Sequence, residues 1–179
     1  LGDVYKRQVL VGTTRADITF DGADATRGAQ SLDLSGSTGV DTVSIVNATL
    51  DDTGAEALLV TGFTAGNGGD VFALLLAATS SSDGSFFNDV GNVGAVVTAI
   101  GDVVELDADT FTFADLTDTM AVGMGLGGNI TFGADSTLVA YDGAGNAGIY
   151  TVDAGAANIE LIGIVSGVND NAFTAANFA

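Results

Sequence analysis

The sequence predicts an all-β chain, a sandwich, barrel or solenoid of many short strands with at most one or two short helices. Three observations carry this. Apolar and polar residues alternate with period two through many short β-branched runs. Gly is abundant, at 26 residues, while Pro is absent. Frequent Gly without a three-residue period marks tight turns and not collagen. Turn dipeptides recur, with Asp-Gly at 21–22, 83–84 and 142–143 and Gly-Gly at 68–69 and 127–128.

In chain order, the alternating or β-branched runs place strands at 9–13 (VLVGT), 18–20 (ITF), 31–34 (SLDL), 42–46 (TVSIV), 58–61 (LLVT) and 71–76 (VFALLL). Further strands follow at 95–100, 103–106, 129–132, 137–141, 148–152 and 159–165. The stretch 111–124 reads either way: Ala114, Leu116, Met120 and Ala121 suit a short helix, with Asp109 or Thr110 as its cap. The chain has 179 residues and is 47% apolar, enough for one domain with a sizeable core and too apolar for a disordered acidic tail.

Charge narrows the function. There are 23 acidic residues against four basic ones, Lys6, Arg7, Arg15 and Arg27, giving a net charge of −19. Nucleic-acid binding is excluded, because phosphate contacts need Lys or Arg. An anionic membrane surface repels such a chain, and no run of about 18 apolar residues is present for membrane insertion. Self-repulsion opposes compaction. Bound cations relieve it, and hard carboxylate and carbonyl oxygens point to Ca²⁺. A solvated acidic face is the plainer reading of any single Asp. Without Cys or His there are no disulfides, thiolate sites or Ser–His–Asp triads.

The first eight residues, LGDVYKRQ, hold two of the four basic residues and break in character from the rest of the chain. They resemble a translated adapter sequence of the kind found at the ends of metagenomic contigs. On this reading 1–8 is a non-native leader and the native protein extends further upstream.

The motif richest in chemistry is GSTGVDTVS at 36–44, which matches the calcium nonapeptide G-G-x-G-x-D-x-U-x through Gly36, Gly39, Asp41 and Val43, with Ser37 in place of the second Gly. AGNGGDVFA at 65–73 matches it through Gly66, Gly68, Asp70 and Phe72, with Ala65 in place of the first Gly. Glycines turn the chain and expose carbonyl oxygens, Asp supplies a charged ligand, and the apolar residue starts an inward-packing strand. Gly36, Gly39, Asp41, Gly66, Gly68 and Asp70 are therefore the candidate metal ligands. Adjacent coils call for the motif at intervals of about nine or eighteen residues. Asp41 and Asp70 are 29 apart, so one regular stack requires an insertion between them. The alternative is a pair of Gly-rich turns that hold no ion.

From about Gly36 onward the chain resembles the C-terminal region of RTX (repeats-in-toxin, hemolysin-type calcium-binding) proteins. LVTGFTAGNGGDVFALL at 59–75 resembles the segment leaving the last repeats, STLVAYDGAGNAGIYTVDA at 136–154 the terminal aromatic hairpin, and IELIGIVSGVNDNAFTAANFA at 159–179 the closing strand and tail. The departure is that no undegenerate repeat survives. The resemblance implies an extracellular or cell-surface module that folds in Ca²⁺ and is exported by the type I secretion machinery through an uncleaved C-terminal signal. It also implies a β-roll or β-solenoid-like sheet passing into a β-sandwich-like C-terminal cap, and it divides the single β domain 9–179 into a degenerate repeat-like part, 9–80, and a cap with secretion signal, 81–179.

Two other function classes are candidates. Gly/Thr/Asp-rich β-segments also suit an adhesin or S-layer-like surface protein that self-assembles. Asp52-Thr53-Gly54 matches the aspartic-protease triplet, with Leu161–Gly163 echoing its supporting segment, but two such carboxylates must share a proton and only one triplet exists. The acid pairs Asp51/Asp52 and Asp107/Asp109 lack the Trp usual at sugar-cleaving sites, and the sequons at Asn47 and Asn129 read as incidental. The chain is thus expected to be non-catalytic.

Overall fold

Period-two alternation becomes buried and exposed faces of strands that pair mostly in parallel. The structure is a computed structural model that describes residues 8–10, 15, 17–21, 30–46, 57–74, 87–90, 95–97, 103–106, 111–126, 130–133, 135–153, 158–170 and 172–178. The first six strands are β1 (Gln8–Leu10), β2 (Asp17–Asp21), β3 (Ser31–Asp33), β4 (Thr42–Val46), β5 (Leu58–Thr61) and β6 (Val71–Leu74). They alternate between two sheets. β1, β3 and β5 pair in parallel in one, and β2, β4 and β6 in the other.

The larger sheet continues with later strands. These are β7 (Phe87–Val90), β9 (Val103–Leu106), β11 (Ser136–Tyr141), β12 (Asn146–Val152) and β13 (Ile159–Ser166), giving the order β1-β3-β5-β13-β12-β11-β9-β7. β13 pairs in parallel with β5 and antiparallel with β12, so one sheet runs continuously across the 80/81 boundary. β8 (Ala95–Val97) and β10 (Ile130–Phe132) form a separate parallel pair. The all-β expectation holds. Every expected strand has a counterpart: 42–46, 58–61 and 103–106 match end for end, and the others shift at one or both ends, some of which lie outside the described residues. β7 was not expected from the sequence: FNDV has no clear alternation, and its strand geometry comes from parallel pairing with β9.

Two cores flank the large sheet. On one face Val43, Ile45 and Phe72 of the three-stranded sheet pack with Leu32, Val60, Val139, Ile149 and the tail residues Phe173 and Phe178. On the other, Leu138, Ala140, Tyr150 and Leu161 pack with Leu116, Val122 and Phe132. Both faces of β11 are covered, which is why all six of its residues are buried. In β13 a bulge reassigns faces. Ile149 pairs with Gly163 and Tyr150 with Leu161, leaving Ile162 as the extra residue. Ile162 and Val165 then face the first core, and Leu161 and Ile164 the second.

The ambiguous stretch 111–124 resolves into two short helices, α1 (Phe113–Leu116) and α2 (Thr119–Leu126). The cap is Thr112 and neither Asp109 nor Thr110. Thr112 Oγ1 accepts from Asp115 N at 3.2 Å, and the Asp115 carboxylate accepts from Thr112 N at 2.8 Å, a capping box. Asp118 caps α2 by accepting from Met120 N at 3.0 Å and Ala121 N at 3.2 Å. Tyr150 ties the helical layer down, its hydroxyl donating to the Leu116 carbonyl. Its ring lies over Gly148, where a Cβ would sit 2.6 Å from the hydroxyl oxygen.

Leu138 is fully buried in the second core, and Met120 is 73% exposed on α2. Leu138→Ala is expected to lower unfolding stability by ~2–5 kcal/mol, from lost transfer energy plus a cavity. Met120→Ala should stay within ~0.5 kcal/mol of the parent. Urea titration of both variants checks this, and equal midpoints would contradict the described packing.

Candidate functional site

The two nonapeptide-like segments come together. Each lies on a link that carries the chain from the large sheet to the small one: 34–41 between β3 and β4, and 62–70 between β5 and β6. Asp33 is level with Thr61, and Thr42 with Val71, so the links stack in register. Leu34 N donates to Thr61 O at 2.8 Å, and Val71 N to Asp41 O at 2.8 Å. The approach is close enough that a Cβ on Gly62, whose φ is +73°, would lie 2.3 Å from Ser35 N. The two segments stack although Asp41 and Asp70 are 29 residues apart, as one regular stack with an insertion between them requires. Here the coil itself is that long, the return from β4 to β5 taking up the extra residues.

Asp70 organises the stack. It is 2% exposed. Its Oδ1 accepts from Asp41 N at 2.8 Å and its Oδ2 from Thr64 N at 2.7 Å, while its own N donates to Thr64 O at 2.7 Å. One carboxylate thus closes its own loop and holds the next coil. Within the loop Gly69 N donates to Gly66 O at 3.0 Å, a turn that places Gly68 at φ +83°. A Cβ on Gly69 would lie 2.1 Å from Thr64 O, so the packing requires Gly69 as well as the motif glycines. Asp41 is fully buried beside this loop, while Gly36 and Gly39 are exposed on the first link.

The tail seals the turn. Asn177, in a closing 3-10 turn (Ala175–Asn177), is fully buried. Its Nδ2 donates to Gly66 O at 3.1 Å and to Asp70 O at 2.8 Å. Its Oδ1 accepts from Gly66 N at 2.9 Å and Thr174 N at 3.0 Å. Phe178 bridges in parallel to Phe72, extending the small sheet past β6. Phe63 and Phe72 stack at 4.7 Å, and Phe173 and Phe178 pack at 5.4 Å. Neither Asn177 nor Gly69 stood out in the sequence. Gly-Gly at 68–69 signalled only a turn, and Asn177 is 107 residues from Asp70 with no local signal of the contact.

Calcium takes roughly six to eight oxygen ligands. Here both Asp70 oxygens and the carbonyls of Gly66 and Asp70 already accept hydrogen bonds. Among the described residues no group of three or more His, Cys, Asp or Glu is gathered. The residues around Asp41 and Asp70, as arranged, do not make a calcium cage. The protease-like triplet 52–54 and the acid pairs 51–52 and 107/109 lie outside the described residues, while Leu161–Gly163 falls within β13.

The β11–β12 hairpin turns on Asp142. Its carboxylate accepts from Ala144 N at 2.8 Å, Asn146 N at 2.9 Å and Asn146 Nδ2 at 2.7 Å. Burial opposes the charge, but these hydrogen bonds together outweigh it and hold the Asp142 carboxyl below its ordinary value. Beside the hairpin is a cavity of about 140 Å³ lined by Tyr141, Asn146, Asn169 and Asp170, smaller than typical ligand pockets. Below it Tyr141 donates to the buried Glu105 carboxylate, and burial first, then that bond, raises the phenol's pKa far above its ordinary value.

Two substitutions probe these carboxylates. Asp70→Asn keeps one acceptor but turns an amide donor toward a main-chain N–H, so a loss of ~1–3 kcal/mol is expected in urea unfolding; an unchanged midpoint would show that the carboxylate does not hold the coils. For Asp142, whose folded pKa is depressed, stability is present above the unfolded value of about 4 and is lost as pH falls through the folded pKa. Asp142→Asn should therefore flatten the acid side of the pH–stability curve relative to the parent. Set against known proteins, the chain matches no family model, no curated protein and no solved structure.

Proposed function

We propose that this chain is a non-catalytic module of a secreted or surface bacterial protein, serving export and extracellular folding, similar to the C-terminal region of RTX proteins. The observation that carries this reading is the in-register stacking of 36–44 on 65–73 between neighbouring parallel strands. Repeat proteins of this kind place each turn above the last, so that every coil contributes one strand to each of two sheets. The alternation of β1 to β6 between two parallel sheets supports a β-roll on the same ground. Calcium enters as counter-ion to the charge of −19, where cations relieve self-repulsion and favour the compact chain. Type I secretion machinery is the proposed partner, and the extracellular space or cell surface the proposed location.

The test is export. A reporter fused ahead of this chain, in a host carrying type I machinery, is expected in the medium with the full chain and retained in the cell when 158–179 is deleted. Equal secretion of both fusions would defeat the export reading.

A further inference from the structure

We infer that Asn67-Gly68 is a self-modification site, where the chain converts Asn67 to aspartate and isoaspartate through a cyclic imide and so loosens the tail from the last Gly/Asp turn. Of the ten Asn residues, Asn67 alone is followed by Gly. The reaction needs the next residue's main-chain N to reach the Asn Cγ, and a Gly there has no Cβ to obstruct the approach. Both residues are exposed. Gly68 has φ +83°, with nothing within 4 Å of where a Cβ would lie. The pair forms the middle of the turn that the Gly69 N–Gly66 O bond closes. Among the described residues no hydrogen bond holds the Asn67 carboxamide or Gly68 N. Asp142-Gly143 is the contrast: a carboxylate is a poor electrophile, and this one is tied by Ala144 N, Asn146 N and Asn146 Nδ2. At residue 67, Gly68 N bonds to Cγ, the Cγ–Nδ2 bond breaks, and ammonia leaves with the Gly68 amide proton. Water then opens the ring. Breaking the new Cγ–N bond restores the main chain and leaves aspartate. Breaking the original C–N bond instead routes the main chain through Cβ and Cγ, one methylene longer. The tail grips this same turn: Gly66 N donates to Asn177 Oδ1 at 2.9 Å, and Gly66 O accepts from Asn177 Nδ2 at 3.1 Å. A longer chain between Gly66 and Gly69 displaces that pair. Either product also adds a carboxylate three residues from the buried Asp70.

The experiment ages the whole chain in mildly alkaline buffer, where proton removal from Gly68 N is fastest. Peptide mapping by mass spectrometry and labelling with isoaspartyl methyltransferase then locate the products. Conversion is expected first and most at residue 67. An Asn67 that stays intact, or another Asn that converts ahead of it, would overturn the inference. The aged parent should melt roughly 2–4 °C lower than the fresh chain, the shift expected for about one lost hydrogen bond. Amide hydrogen exchange over 172–178 should quicken with it. Asn67→Gln must close a larger, slower ring, so it should keep both its melting point and its tail protection through the same ageing. Conversion at 67 with an unchanged tail, or an equal loss in Asn67→Gln, would overturn the link to the tail. The mapping is made on the parent itself and needs no variant to fold. None of these readouts depends on export, so failure here and failure of the secretion reading are separable.

Discussion

Two main-chain N–H groups from different coils end on one carboxylate, that of Asp70, and the arrangement of the first half of the chain depends on this. A buried charge is tolerated only where it is fully hydrogen-bonded. By taking Asp41 N and Thr64 N, Asp70 meets that requirement and fixes the height at which β4 meets β6. That register places Val43 beside Phe72, and both fall into the first core. A shift of one residue would turn these side chains to the opposite face. The carboxylate thus does for the coil stack what a turn of fixed length does for a hairpin.

The tail completes the arrangement from outside. β6 is the edge of the small sheet, and an edge strand presents unpaired main-chain groups. Phe178 covers part of that edge, and Asn177 occupies the carbonyls at its start. Aromatic packing of Phe63, Phe72, Phe173 and Phe178 supplies apolar burial where the links leave the sheets. Polar groups in the rest of the interior are treated the same way. Glu105 receives the Tyr141 hydroxyl and Tyr150 donates to the Leu116 carbonyl; burial first raises both phenols' pKa, joined by Glu105 at Tyr141 and by the Asp118 charge at Tyr150.

Most of the strands were legible because their signal is local: ITF and TVSIV alternate, and alternation means one covered face. The long-range features were not. The spacing of Asp41 and Asp70 argues against a stack only if a coil has the length of a short repeat, and nothing in the residues between them states how long the return path is. Gly66 and Gly68 were singled out by pattern and do adopt positive φ. Gly62 and Gly69 matter because of what lies next to them in space, which a pattern does not encode. Asn177 reads in sequence as one amide among small and polar tail residues. Its role exists only once the chain has folded back over more than a hundred residues.

The position of β13 has a kinetic consequence. It joins β1-β3-β5 to β12-β11-β9-β7, and among the described residues it is the seam of the hydrogen-bonded sheet between those two groups of strands. Leu58 must wait for Gly163. Contacts of such sequence separation are entropically expensive to close and slow to form. A chain released progressively from its N-terminus would hold β5 with one long edge open until the last strand arrived, and open parallel edges invite pairing with other molecules. The seam therefore makes assembly of this sheet an event of the whole chain, timed by when residues 159–166 become available.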